Sequence, residues 1–286
     1  MFISKLTIIG VGLIGGSFAR ALRHAGLVGR VTGCGRDLAN LKTAFELGVI
    51  DDYSIDVAEA VHDADLVVVA VPLMAMGKIF AAMRPALAPH ALITDVGSVK
   101  ACVIEAAREN LGEHFPRFVA GHPIAGAEKT GAAASFAELF HQRRIVLTPT
   151  AETDKQALHK ISEYWLKTGA NVVEMSAEQH DLILAATSHL PHVLAFTVVN
   201  TLAGMQTEED VFQFAAGGFR DFSRIASSDP KMWHDICLSN PQAILSILES
   251  FEQHLHQLRD AVIQKDSQNL LQLLHHAKTL RDQFVG

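Results

Sequence analysis

KLTIIGVGLIGGSFARALRHAG, residues 5–26, decides how the first half of the chain is read. Lys5–Gly10 is a short, apolar, β-rich run. Gly10, Gly12 and Gly15 follow as G-x-G-x-x-G, and Ser17–Gly26 has helical spacing. Between a strand and a helix, this spacing is the fingerprint of a dinucleotide loop. The first glycine permits the tight turn, the second lets backbone approach a pyrophosphate, and the third lets helix and strand pack closely. Amides at the helix N-terminus then face the anion. A tight turn with only a structural role is the rival reading.

Further β-type runs follow at Val31–Gly33, Leu66–Val71, Ala91–Asp95, Phe118–Ala120 and Arg144–Leu147. LVVVAV, at 66–71, is continuously apolar, as a parallel strand buried on both faces must be. Helical segments fit between most of these runs, and alternating β and α predicts a doubly wound, Rossmann-type, mainly parallel sheet. Thr150–Gly169 reads as a helix and Asn171–Met175 as a last strand. Beyond Ser176 the pattern is helical to the end. We therefore expect an α/β nucleotide domain at 1–176 and an all-α domain at 177–286.

The chain has 286 residues, enough for two domains. With 49% hydrophobic and 19% charged residues it can bury a sizeable core. Its net charge of −7 and lack of a basic run argue against nucleic acid. Cys34, Cys102 and Cys237 are widely spaced and form no CxxC, which suits a reducing compartment without structural disulfides or a cysteine metal site. The N-terminus lacks a signal-peptide pattern, so a cytoplasmic protein is expected. Leu182–Leu202 is nearly long enough to span a bilayer, but Ser188, His189, Pro191, His192 and Asn200 interrupt it. It reads as a buried core helix, with no membrane partner.

An acid that holds the ribose 2′-hydroxyl should follow the second strand. GCGRD, residues 33–37, instead offers Gly35, then Arg36 and Asp37. Arg36 could accept a 2′-phosphate, which leans toward NADP; Asp37 could reach the ribose, which leaves NAD open. Arg36 as a solvated loop charge is a third reading.

Ligands of open α/β sheets sit beyond the carboxyl ends of the strands. Ser98, in DVGS after the fourth strand, and His122, in GHPIAGAEKTG after the fifth, fall there. Ser98 could also be the N-cap of the next helix. The glycines and proline around His122 read as a turn, in which His122 is either an ordinary loop residue or an imidazole facing the same crevice as the glycine loop. Glu128 in the same segment is a candidate acid or an ordinary surface charge. In the second half, Arg220 and Arg224 are four apart, so on a helix they share a face and could grip a carboxylate. His189 and His192 share the segment SHLPH, with no third-ligand pattern that would mark a metal. Asp229-Pro230 is a good helix start, and Trp233 reads as packing. His254, His256, His275 and His276 read as solvated.

GVGLIGGS, AVP, TDVGSVK, GHPIAGAEKTG, SHLPH and GGFRDFSRIASSDPKMW occur in this order. Together they resemble the prephenate/arogenate (cyclohexadienyl) dehydrogenases of tyrosine biosynthesis. The resemblance covers nearly the whole chain and implies the stand-alone form, without a fused chorismate mutase or regulatory domain. It implies NAD(P)-dependent oxidative decarboxylation of a cyclohexadiene dicarboxylate, with His122 polarising the ring hydroxyl and Ser98 bonding the same hydroxyl or orienting His122. It puts Arg224, His192, His189, Glu128 and Trp233 around the substrate. It puts Gly10, Gly12, Leu13, Ile14, Gly15, Arg36, Val71 and Pro72 around the cofactor. It also implies a homodimer joined through the helical domains, for which the apolar stripes beyond Pro241 are suited.

Two rivals remain at this stage. A β-hydroxyacid dehydrogenase needs a catalytic lysine early in the helical half, where Ala177–Gly204 has none. A nucleotide-binding regulator without turnover does not need Ser98, His122 and Arg224 together.

Overall fold

The computed structural model describes residues 2–127, 129–205 and 210–285. Its main sheet has six strands in the order β3-β2-β1-β4-β5-β6, all parallel. These are β1 (Ile3–Ile9), β2 (Val28–Cys34), β3 (Asp52–Ser54), β4 (Leu66–Val69), β5 (Leu92–Asp95) and β6 (Phe118–Val119). Helices α1 (Leu13–His24), α2 (Leu38–Glu46), α3 (Val57–Val61), α4 (Met76–Met83) and α5 (Ala101–Leu111) alternate with them.

The two-residue period of the strands divides the core. Ile8, Leu66 and Val68 face one apolar layer with Phe18, Phe140 and Trp165. Ile9, Val67 and Val69 face the other, with Phe80, Met83 and Phe118. Every residue of β4 is buried, as its unbroken apolar run requires.

A second sheet departs from the expectation. The runs at 144–147 and 171–174 do not extend the main sheet. They form β8 (Arg144–Leu147) and β9 (Asn171–Glu174), which pair with β7 (Gly121–Pro123) in the order β7-β8-β9. The β7–β8 pair is antiparallel and the β8–β9 pair is parallel. The chain leaves the main sheet at Ala120, so His122 lies at the centre of a strand, not on a turn. The intervening helix, α6 (Lys155–Lys167), is shorter than the expected 150–169. It begins where the Asp154 side chain accepts the Ala157 amide at 2.8 Å, a side-chain N-cap.

Past β9, Ser176 caps α7 (Ala177–Leu184) and no strand recurs among the described residues. A π-helical turn, Ala185–His189, joins α7 to α8 (Leu190–Ala203). Then come α9 (Gly217–Ser223), α10 (Pro230–Ser239), α11 (Pro241–Ile263) and α12 (Ser267–Val285). Asp229 and Pro230 open α10 as expected, with the carboxylate accepting the Lys231 amide. The expected burial of 182–202 is not seen within one chain. Only Ala195 of α8 is buried, and Leu182 is more than half exposed. The reason is geometric: among the described residues, none buries the outer faces of α8, α11 and α12. The joined helix Ala177–Ala203 is long and apolar enough to cross a membrane by length and composition.

Candidate active site

Ile9, Cys34, Val69 and Asp95, the ends of β1, β2, β4 and β5, lie side by side in register. Whatever follows these strands therefore gathers on one edge. Gly10 has φ +96, and a Cβ there would meet Ala70 O at 2.2 Å, so only glycine fits. A Cβ on Gly15 would meet Gly10 O at 2.6 Å, because α1 packs directly on the loop. Gly12 has open space instead, with nothing within 4 Å of a Cβ. Among the described residues no acceptor faces the amides of Leu13 and Ile14, and α1 has no side-chain cap. An open second glycine beneath free helix amides fits a pyrophosphate. Val71 lies against Gly10, and Pro72 leads into the 3₁₀ turn Leu73–Ala75.

Arg36 and Asp37 stand exposed at the β2 tip. Asp37 Oδ1 is engaged as the cap of α2, accepting the Ala39 and Asn40 amides at 3.0 and 3.1 Å.

Ser98 is not the N-cap of the next helix. That helix, α5, begins at Ala101, and its leading amides are satisfied from across the molecule. Asp181 of α7 accepts Lys100 N at 2.8 Å on Oδ1 and Ala101 N at 2.9 Å on Oδ2. Ser98 stays partly exposed on the loop between β5 and α5. Its neighbour Val99 packs with Trp233 and Ile236 of α10, which draws the helical half onto this loop.

Beneath the loop, Lys100 and Asp95 form an ion pair at 2.5 Å with neither side chain exposed. Lys100 Nζ also donates to Gly121 O at 2.7 Å. Asp95 accepts the amides of Gly97 at 2.7 Å and Gly121 at 3.1 Å. One buried pair therefore ties the Ser98 loop to the strand that carries His122.

His122 Nδ1 lies 2.8 Å from His180 Nε2, and His180 Nδ1 lies 2.7 Å from Asp181 Oδ1. Burial holds the His122 pKa well below the ordinary value, and the positive fields of His180, Lys100 and His189 add to this. The imidazole is neutral at neutral pH and available as a proton acceptor. Its partner is completely buried, while His122 keeps a partly exposed side.

The helical half brings further residues to the same place. The π turn carries His189, 1% exposed, whose pKa burial lowers to about 4. His192 stacks on Trp233, with centroids 3.9 Å apart and planes 22° apart. The His189 ring meets the same indole edge-on at 6.1 Å. Trp233 Nε1 donates to Ser228 Oγ at 2.7 Å. The sequence reading of Trp233 as packing holds, with two imidazoles as its partners. Arg224 closes α9 as its C-cap, with its N–H bonded to Arg220 O, so the two arginines lie one helical turn apart as expected, and Arg224 then opens a 3₁₀ turn. It is exposed, and its charge is close enough to depress the His192 pKa after burial and against the Ser188 carbonyl bond. Glu128 lies outside the described residues. His254, His256, His275 and His276 are exposed as expected.

His180, Asp181, Lys100 and Asp95 were not singled out by sequence reasoning. The available signal was charge where none belongs: Asp95 ends an apolar strand, and Lys100 follows within the same short loop.

A glycine loop and a neutral, supported imidazole at the carboxyl edge of a Rossmann-type sheet define a nucleotide-dependent dehydrogenase. Known proteins make the class specific. Residues 18–174 match the family described as prephenate dehydrogenase, nucleotide-binding domain, and 176–276 match prephenate dehydrogenase, dimerization domain. The chain belongs to the prephenate/arogenate dehydrogenase family. A cyclohexadienyl dehydrogenase of Zymomonas mobilis is 40% identical over 96% of this chain and 94% of its own length. The crystal structure of the A. aeolicus prephenate dehydrogenase, in complex with hydroxyphenyl propionate and NAD+, superposes with a TM-score of 0.94 at 36% identity, covering 99% of each chain. The Synechocystis arogenate dehydrogenase superposes at 0.83 with 28% identity, covering 98% of this chain and 99% of its own.

Proposed function

We propose that the chain oxidatively decarboxylates prephenate to 4-hydroxyphenylpyruvate, arogenate to tyrosine, or both, with NAD(P)⁺ as acceptor. The observation that carries this is His122: a neutral imidazole on the edge where the glycine loop lies, backed by His180. When bound, the nicotinamide accepts the hydride from the hydroxyl-bearing ring carbon.

His122 takes the hydroxyl proton as that carbon becomes a carbonyl. The ring carboxylate then leaves as carbon dioxide, its bonding electrons make the ring aromatic, and His122 returns the proton to the phenolate oxygen. Ser98 bonds the same hydroxyl or orients His122. Arg224 binds a carboxylate, and His192, His189 and Trp233 form the wall of the pocket. Gly10, Gly12, Leu13, Ile14, Gly15, Val71 and Pro72 hold the dinucleotide, and Arg36 favours a 2′-phosphate, hence NADP. We divide the chain at 176, the end of the last strand being Glu174. The apolar faces of the helical half favour a homodimer, and the three free cysteines suit a reducing cytoplasm.

The test is reduced-nicotinamide formation with prephenate or arogenate and NAD⁺ or NADP⁺. Turnover in one combination or more is expected, and His122→Asn should lower it by roughly 10²–10⁴-fold. A folded protein that binds nucleotide but turns over neither substrate would leave the regulator reading standing. Arg36→Ala should shift preference toward NAD⁺; an unchanged ratio removes Arg36 from cofactor choice.

A further inference from the structure

The His122 partner is itself oriented by a carboxylate whose protonation the backbone dictates. Backbone amides only donate, and Asp181 takes one on each oxygen. Burial alone would raise the Asp181 pKa. The His180 hydrogen bond and the Lys100 and Ala101 amides outweigh burial and hold it below the usual carboxylate range. Asp181 is therefore an ionised acceptor, and His180 Nδ1 must carry the proton that bridges the 2.7 Å between them.

In a neutral imidazole the other nitrogen is then bare. His180 Nε2 accepts, so the group 2.8 Å away must donate, and that group is His122 Nδ1. The proton of neutral His122 is thus used inward and its Nε2 is left as the lone pair. If His180 were instead cationic, His122 Nδ1 would accept and Nε2 would carry the proton, which is the useless tautomer for a base. Lys100 already places one buried ammonium against Gly121, and the arrangement drawn here adds no second buried cation.

We propose that His180, fixed by Asp181, is a positioning residue that selects the Nδ1–H tautomer of His122 and so makes Nε2 the base. This rests on the assignment of His122 as the base. A base held in the wrong tautomer loses up to about 10⁴-fold in turnover, so the arrangement matters on the scale of the whole base contribution.

The test has two arms on the full-length protein. In the first, ¹⁵N-histidine-labelled protein at neutral pH is examined by two-bond ¹H–¹⁵N correlation, with His122→Asn identifying the His122 signals. A protonated Nδ1 and a bare Nε2 are expected; a protonated Nε2 overturns the proposal. In the second, His180→Gln is compared with His180→Asn. The glutamine carbonyl reaches the Nε2 position and can accept from His122, whereas the asparagine amide ends near the Nδ1 position. Glutamine should retain kcat within about tenfold, and asparagine should lose about 10²-fold or more, with KM changed little in both. Equal loss in the two, or loss confined to KM, overturns it. If the variants do not fold, the first arm decides alone. Wild-type protein that turns over neither substrate, yet shows the Nδ1–H tautomer, removes the functional reading and leaves the tautomer assignment intact.

Discussion

Lys100 Nζ and Asp95 Oδ2 meet at 2.5 Å in a place no solvent reaches, five residues apart in sequence. Both ions spend their remaining bonds on backbone, at Gly97 and Gly121. Removing one partner strands the other as a buried charge, which costs about 3–5 kcal/mol. Lys100→Met should lower the stability by that amount in chemical denaturation. A midpoint unchanged from wild type would mean that the pair is not what fixes the Gly97 and Gly121 backbone.

The three glycines of the loop should respond differently to one methyl group. Gly10→Ala meets Ala70 O at 2.2 Å from a positive φ, so it should cost several degrees of melting temperature. Gly12→Ala meets nothing within 4 Å at φ −105 and should melt as wild type does. Its effect belongs to the ligand: dinucleotide affinity should fall at least about tenfold, or roughly 1.4 kcal/mol. Titration of both variants by nucleotide fluorescence separates the two roles. Unaltered affinity in Gly12→Ala places the pyrophosphate elsewhere.

Catalysis should survive mild acid. The base we propose, His122, acts in its unprotonated form, and burial first, then His180, Lys100 and His189, lower its pKa well below the ordinary 6.5. The acid limb of kcat/KM should therefore lie below pH 6.5, with a flat rate through that value. A limb centred at 6.5 or above would show that His122 is more solvated than its surroundings imply.

Stability should fall over a related range for a different reason. His189 is 1% exposed, its Nδ1 has no hydrogen-bond partner among the described residues, and its pKa drops from 6.5 to about 4 on folding. A lowered folded pKa means that the unfolded chain binds the extra proton first. The contribution is complete above pH 6.5 and is lost as pH falls through about 4, roughly 3 kcal/mol in all. Melting curves between pH 7 and 4 should be steeper in wild type than in His189→Gln. Parallel curves would assign the acid sensitivity to other groups.

The sequence exposes those parts of the molecule that are local. Gly10, Gly12 and Gly15 announce themselves because their spacing follows a strand and opens a helix. The positions of Ser98 and His122 near one edge follow from counting strands. What is hidden is tertiary. Asp181 finds its partners 80 and 81 residues away, and no spacing rule reaches so far. Strand β7 escapes notice because Gly121 and Pro123 have the chemistry of a turn. The ladder with Val146 and Ile145 overrides it. Lys100 reads as surface because lysine almost always is. The apolar length of α8 reads as core because sequence shows that a face is apolar and not what it packs against.

The π turn at Ala185–His189 holds one more residue per turn than the α-helices on either side of it. It works like a spacer washer on a threaded shaft. His180 sits before it, and His192 after it. If all five of its residues relaxed to α geometry, the one the wide turn absorbs would swivel everything beyond by about 100°. His192 would leave the Trp233 indole, while His180 kept its grip on His122. Variants that stiffen this turn into α geometry are therefore a route to moving His192 without moving His180.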